Sequence, residues 1–285
     1  MKQVFLIIFL FFSTVVYISA QENIVYNGDF EEYWMCPDKT LFYPIKGWSC
    51  KGFGTPDYYN TCCKDTFCAI PCNWVGCYYP KSGNAYIGLL IFIEENTSME
   101  RISGFLIEPM IKGKRYEVSF WIRLAYQFSD YASYNIGIYF SKDSIIFKNQ
   151  NNITFDHNYI KLMSPELRAH IGNAMGNYIT DTNWVEISGI YTAQGGEQYV
   201  TIGMFWDDTP AVVEAHKKYK NKNTQYNKKL LSKAIKNNLL VENPYIKEYK
   251  KYIRSYSPYY YHYWDREKKN LYYFIDDVSV IELDE

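Results

Sequence analysis

The sequence predicts an all-β fold, a jelly-roll β-sandwich with a basic, partly helical insertion before its last strand. Three observations predict it. First, both ends of the chain after residue 20 carry an apolar, strand-like segment with a carboxylate cluster, IVYNGDFEEY over Ile24–Tyr33 and YYFIDDVSVIEL over Tyr272–Leu283. Second, the stretch between them holds a series of alternating apolar segments bounded by glycine turns, the period-2 pattern of half-buried strands. Third, few segments between these ends carry a helical period. Chain ends that pair in one sheet, with acids beside them, suggest a sandwich tied by an oxygen-liganded cation.

The elements follow in order. Lys2, an apolar run from Val4 to Val16 and the small-residue exit Ile18-Ser19-Ala20 make 1–20 a signal peptide, so export to the periplasm, outer surface or medium is expected. The run is short for a bilayer span of about 20 residues. No transmembrane anchor is therefore expected, and no cysteine follows the cut to carry a lipid. Residues 21–285 are expected to form one sandwich domain. Ile24–Tyr33 reads as its first strand. Residues 36–80 read as a long loop rich in Pro, Gly and Cys, unusual unless functional or cross-linked.

Further strands are predicted over Asn84–Ile93, Arg101–Pro109, Tyr116–Ala125, Asn135–Ser141, Asn183–Thr192, Gln198–Phe205 and Leu271–Leu283. About eight strands without intervening helices suggest a sandwich or jelly roll. Within the 211–269 insertion, residues 214–269 hold fifteen Lys or Arg against five Asp or Glu, with a helical expectation over Tyr226–Leu240. Such a segment is either a solvated excursion or a docking surface for an acidic partner, with nucleic acid the least expected because of export.

All seven cysteines, Cys36, Cys50, Cys62, Cys63, Cys68, Cys72 and Cys77, fall in or beside the loop. Export permits disulfides, whose connectivity the spacing does not choose. Zinc is the weaker alternative, since no C-x-x-C pair is present. The same loop carries Trp34, Trp48, Tyr58, Tyr59 and Trp74, aromatic candidates for stacking on a ligand such as a sugar. Their alternative is a small core beneath the loop. Against catalysis, His157, His170, His216 and His262 are scattered without a nucleophile. Acid pairs such as Glu94-Glu95 and Asp207-Asp208 read as solvated, so no enzyme is expected.

Nine elements in sequence resemble a family of exported Bacteroidetes β-sandwich modules, galactose-binding-like jelly rolls akin to carbohydrate-binding modules. They are Asn27–Glu31, Cys36-Pro37, Gly47-Trp48, Thr55–Asn60 with Cys62, Gly83–Gly88, Tyr116–Phe120, Asn135–Ser141, Trp184–Gly203 and Ile275–Val280. The resemblance spans nearly all of the chain after residue 20 except 211–269. It implies a non-catalytic secreted or cell-surface binding module, with carbohydrate the first expectation. The alternative is a structural or protein-interaction component of the cell envelope that docks through the basic insertion. It also implies a structural Ca²⁺ where the first and last strands meet, held by Glu31 and Asp276. The alternative there is a set of solvated acids at strand ends. Members often carry a peptidoglycan-binding or secretion-sorting domain, and neither follows the last strand here.

Overall fold

The computed structural model describes residues 21–38, 44–50, 54–93, 100–144, 168–205, 232, 234–249 and 269–284. In chain order the strands are β1 Ser49–Cys50, β2 Asp57–Asn60, β3 Cys72–Asn73, β4 Gly76–Cys77, β5 Ala85–Ile93, β6 Arg101–Phe105 and β7 Arg115–Leu124. After them come β8 Tyr131–Ser133, β9 Ile136–Ser141, β10 Ile171–Gly172, β11 Val185–Thr192, β12 Tyr199–Met204, β13 Leu240–Glu242 and β14 Asn270–Glu282. Two five-stranded antiparallel sheets face each other. The first has the order β1-β6-β12-β9-β10, the second β11-β7-β14-β5-β2. Successive long strands alternate between the sheets, so both must form before either face is buried. The predicted sandwich is present, with short helical turns at 234–236 and 246–249 before the last strand.

The main core lies between the sheets. It takes the inward residues of each strand, among them Ile87 and Leu89, Val118 and Phe120, Ile136 and Ile138, Val200 and Ile202, and Tyr273 and Ile275. Alternation explains this: β7 buries every second residue and leaves the others at least partly exposed. By contrast, β14 is buried on both faces over most of its length. Its unbroken apolar run LYYFI is what a doubly covered strand requires. Tyr272 and Phe274 point outward into a second core with Tyr59, Val75, Tyr78, Tyr86 and Phe128.

The cysteine-rich segment supplies residues of that second core from the outer side of the second sheet. Three disulfides cross-link it, Cys36–Cys62, Cys63–Cys68 and Cys72–Cys77. Six of the seven thiols are therefore spent in bridges, which removes the zinc alternative. Beneath the segment, the hydroxyls of Tyr59 and Tyr272 lie 2.9 Å apart and both donate to Asp57. Gly88 makes room, because a Cβ there would lie 2.0 Å from the Tyr272 hydroxyl. Glu100, almost fully buried, accepts backbone N–H bonds from Thr55 and Leu90 at 2.7 Å each. It thus ties the loop to β5. Burial, with Asp57 nearby, pushes the Glu100 carboxyl up to about 8.

The expected first strand is different in form. Residues 24–33 make isolated bridges, Val25 with Leu106 and Tyr33 with Ile45, and Asn23 bridges Ile281 just before them. A continuous strand is impossible because Asn27 and Phe30 sit at φ 51° and 61°. The chain ends still lie side by side: Ile24 N–H donates to the Val280 carbonyl and Val278 N–H to the Gly28 carbonyl. A Cβ on Gly28 would stand 2.1 Å from the Val278 carbonyl oxygen, so only glycine permits this approach.

The insertion lies largely outside the described residues. Its described part packs on the body: Ala234, Leu239 and Leu240 join the main core, and β13 pairs with β8. Leu240, the end of the expected helix, is therefore the first residue of a strand.

Candidate functional site

The two acid motifs act as clamps on one loop. Glu31 Oε1 accepts the Asn84 and Ala85 N–H groups at 2.6 and 3.0 Å. Asp276 Oδ2 accepts the Lys81 and Ser82 N–H groups at 2.8 and 3.4 Å, and its Oδ1 accepts from Asp277. The two carboxylates thus grip residues 81–85 from the first and last segments of the chain. Among the described residues, no three His, Cys, Asp or Glu side chains gather as a metal cluster. One property does suit a cation. Asp276 is buried and makes no ion pair among the described residues. Burial, followed by the neighbouring Asp277 carboxylate, drives its carboxyl up to about 8.

The five aromatic candidates of the loop do not share a surface. Trp48 is a core residue: its ring packs on Phe30 and its indole N–H donates to the Asn27 carbonyl at 2.9 Å. Tyr58 is fully buried and donates to the Phe30 carbonyl; burial lifts its hydroxyl above the usual phenol range. Tyr59 is fully buried in the second core. None of these three offers a ring to a ligand. Trp74 is half-buried, edge-on to Phe128 and Tyr272. Trp34 stands apart at 73% exposure.

From Trp34 a chain of contacts leads onto the outer face of the first sheet. The Lys46 ammonium lies 5.1 Å from the Trp34 ring centroid and 3.5 Å from the Glu32 carboxylate. Glu32 in turn accepts the Tyr26 hydroxyl at 3.0 Å, a bond that raises the pKa of this phenol. The Tyr26 ring stacks on Phe105, centroids 4.9 Å apart. Phe105 is the Cα partner of Tyr199 on β12, and Tyr199 of Ser141 on β9. Directly opposed residues in a sheet share a face, so Phe105 and Tyr199 extend this chain of contacts. Sequence reading missed Tyr26, Phe105 and Tyr199. The alternation of β6 and β12 marks 105 and 199 as outward-facing, but only the strand order sets them side by side, and only the fold stacks Tyr26 on Phe105.

At the other end of that sheet is a cleft of about 290 Å³ lined by residues including Tyr134, Asn135, Arg168, Asn173 and Phe205. The Asn135 carboxamide makes no hydrogen bond among the described residues, so both its donor and acceptor stay available. His170, close to this cleft, is stacked between Tyr139 and Tyr191, and its Nδ1 accepts the Phe140 N–H at 3.0 Å. Burial lowers its pKa, which keeps the ring neutral in this bond. His157, His216, His262, Glu94-Glu95 and Asp207-Asp208 lie outside the described residues. Among the described helices none is long and apolar enough to cross a membrane.

No family model matches the sequence, and no curated protein does. Several solved structures are similar in shape. The CBM22-1 xylan-binding domain from Paenibacillus barcinonensis Xyn10C is 10% identical, with 87% of this chain and 91% of that chain covered and a TM-score of 0.37. The K1 cleaved adhesin domain of Lys-gingipain from Porphyromonas gingivalis W83 is 9% identical over 84% and 92%, with a TM-score of 0.33. A structure described as CBM4 is 10% identical over 91% and 99%, with a TM-score of 0.28. Likenesses at this level carry no argument about what the chain does, and the fold stands on its own strand order.

Proposed function

We propose that this protein is a non-catalytic binding module whose ligand is a carbohydrate, and that it meets the sugar with the Trp34–Tyr26–Phe105–Tyr199 strip. The observation that carries the reading is the continuity of that strip. Trp34 and Phe105 are exposed and Tyr26 and Tyr199 half-buried, and a carboxylate and an ammonium link Trp34 to Tyr26. Apolar sugar faces stack on such rings, while Glu32 and Lys46 supply an acceptor and donors for hydroxyls. The rings are held before any ligand arrives, Tyr26 by Phe105 and Trp34 by Lys46, which reduces the entropy lost on binding. A glycan panel probed with the secreted protein tests the reading. Binding to at least one neutral oligosaccharide, lost in Trp34→Ala, is the expected result. Silence across the panel would remove the carbohydrate reading.

Calcium at the seam of Glu31 and Asp276 belongs to the same proposal. It is supported by the buried acid at 276, which lacks a counter-charge among the described residues. An oxygen-rich site of this kind suits Ca²⁺. A chelator should then lower the melting temperature of the wild type and leave Asp276→Ala unmoved.

A further inference from the structure

The second sheet holds a cation that no acid among the described residues pairs. Arg123 lies on the outward side of β7, where its Cα partner on β14 is Phe274. The guanidinium carbon lies 5.1 Å from the Tyr78 ring centroid and 5.8 Å from that of Tyr126. Its Nε is buried with no hydrogen-bond partner, and among the described residues the side chain forms no hydrogen bond or ion pair. This contrasts with Arg101, whose Nε and Nη2 both reach the Met204 carbonyl.

The arrangement is chemically unbalanced. Tyrosine rings attract the face of a guanidinium, but its five N–H bonds point outward in its plane. The rings therefore hold the group without satisfying its edge. A planar, two-pronged donor edge matches a carboxylate, which accepts two parallel bonds from it. Two acids share this face, Glu186 on β11 and Asp276 on β14, each opposed to Trp121, and neither forms an ion pair with Arg123 among the described residues.

The surroundings narrow the ligand further. Trp184 directly precedes β11, whose Val185 is opposed to Ile122, so Trp184 stands across from Arg123. Its indole N–H is fixed on the Tyr79 carbonyl at 3.0 Å, and the Tyr79 side chain is 69% exposed. Tyr78 is buried and backs the guanidinium from below, while Tyr126 and Trp184 are partly exposed and can flank a ring-shaped ligand that carries one carboxylate. We propose that Arg123, framed by Tyr78, Tyr126 and Trp184, anchors a site for an acidic sugar of the uronic-acid class. The site is on the opposite sheet from the Trp34 strip and stands or falls independently of it.

Titration calorimetry of the full chain with tetragalacturonate, and with cellotetraose as the neutral control, tests this. The uronate should bind, and any binding of the neutral sugar should be the same in the wild type and in the Arg123 variants. Arg123→Gln should weaken uronate binding about tenfold or more, because a charge-assisted pair is lost. Arg123→Lys, which keeps charge but not the two-pronged edge, should fall between. Raising salt from about 0.05 M to about 0.5 M should weaken binding to the wild type, since the Debye length shrinks. Trp34→Ala should leave it unchanged. Near-ultraviolet circular dichroism checks that each variant is folded. No uronate binding, or equal binding by folded Arg123→Gln, overturns the proposal. Failure of both Arg123 variants to fold assigns the residue to the fold and also overturns it. Displacement of the uronate by an Asp/Glu-rich peptide of higher affinity overturns the sugar assignment.

Discussion

The two outer faces of the sandwich use aromatic residues in opposite ways. On the second sheet Tyr59, Tyr78, Tyr86, Tyr272 and Phe274 are buried beneath a disulfide-linked segment, and the hydroxyls of the four tyrosines are hydrogen-bonded there. On the first sheet Tyr26, Phe105 and Tyr199 remain at least partly in solvent, and Trp34, joined to Tyr26 through Lys46 and Glu32, is 73% exposed. The same residue types thus build a second core on one side and a partly solvated surface on the other. What separates them is cover: a cross-linked segment spans one face, and the rings of the other meet solvent. Tyrosine abundance by itself carries no functional information here.

The contrast can be broken by substitution. The largest effect should come from Phe274→Ala, which empties the centre of the second core and should cost about 3–5 kcal/mol in denaturant unfolding. Next is removal of the Cys36–Cys62 bridge by a double serine substitution. It closes a loop with a sequence separation of 26. Its loss should cost about 3 kcal/mol by the loop-entropy account. A smaller cost there would show that the lid is held mainly by its tyrosines.

The pH dependence sharpens the same comparison, since the buried acids Glu100 and Asp276 both belong to the lidded side. Each has a folded value of about 8, raised from 4.5 and 3.8. A raised acid binds its proton more tightly when folded. Its stabilising contribution is therefore fullest below pH 4 and is lost as pH rises towards about 8. Melting should become easier across that window as each group gives up its proton. Glu100→Gln should flatten its share of the slope, read by thermal melts from acid to mildly basic buffer. Bound calcium would remove the share of Asp276, so chelation should steepen the slope. The smallest effect on stability belongs to the open face: Trp34→Ala should shift unfolding by no more than about 0.5 kcal/mol while abolishing sugar binding.

How much of this was legible in the sequence depends on the range of the interaction. The long strands were readable because alternation is local, and β5, β7, β9, β11, β12 and β14 fall within a few residues of their expected spans. The contact between chain ends was readable from matching motifs. Its form was not, because the left-handed backbone at Phe30 has no local signature. Trp34 and Trp48 look alike in sequence. They part because Trp48 lies beside a strand that points it at the core, and Trp34 precedes the disulfide-linked loop. The Cys36–Cys62 pairing and the surroundings of Arg123 both depend on residues far apart in the chain. No local pattern could disclose them.

The seam formed by Asn23 with Ile281 and by Gly28 with Val278 has a practical consequence. Since the two ends of the fold emerge together, a short peptide could splice them into a ring. New termini could then be opened at the Lys112–Lys114 turn, where Gly113 has open space around it. Such a permuted molecule should keep its hydrogen-bonded ladder, and it would free the present extremities of the domain from the place where a fusion partner would crowd the last strand.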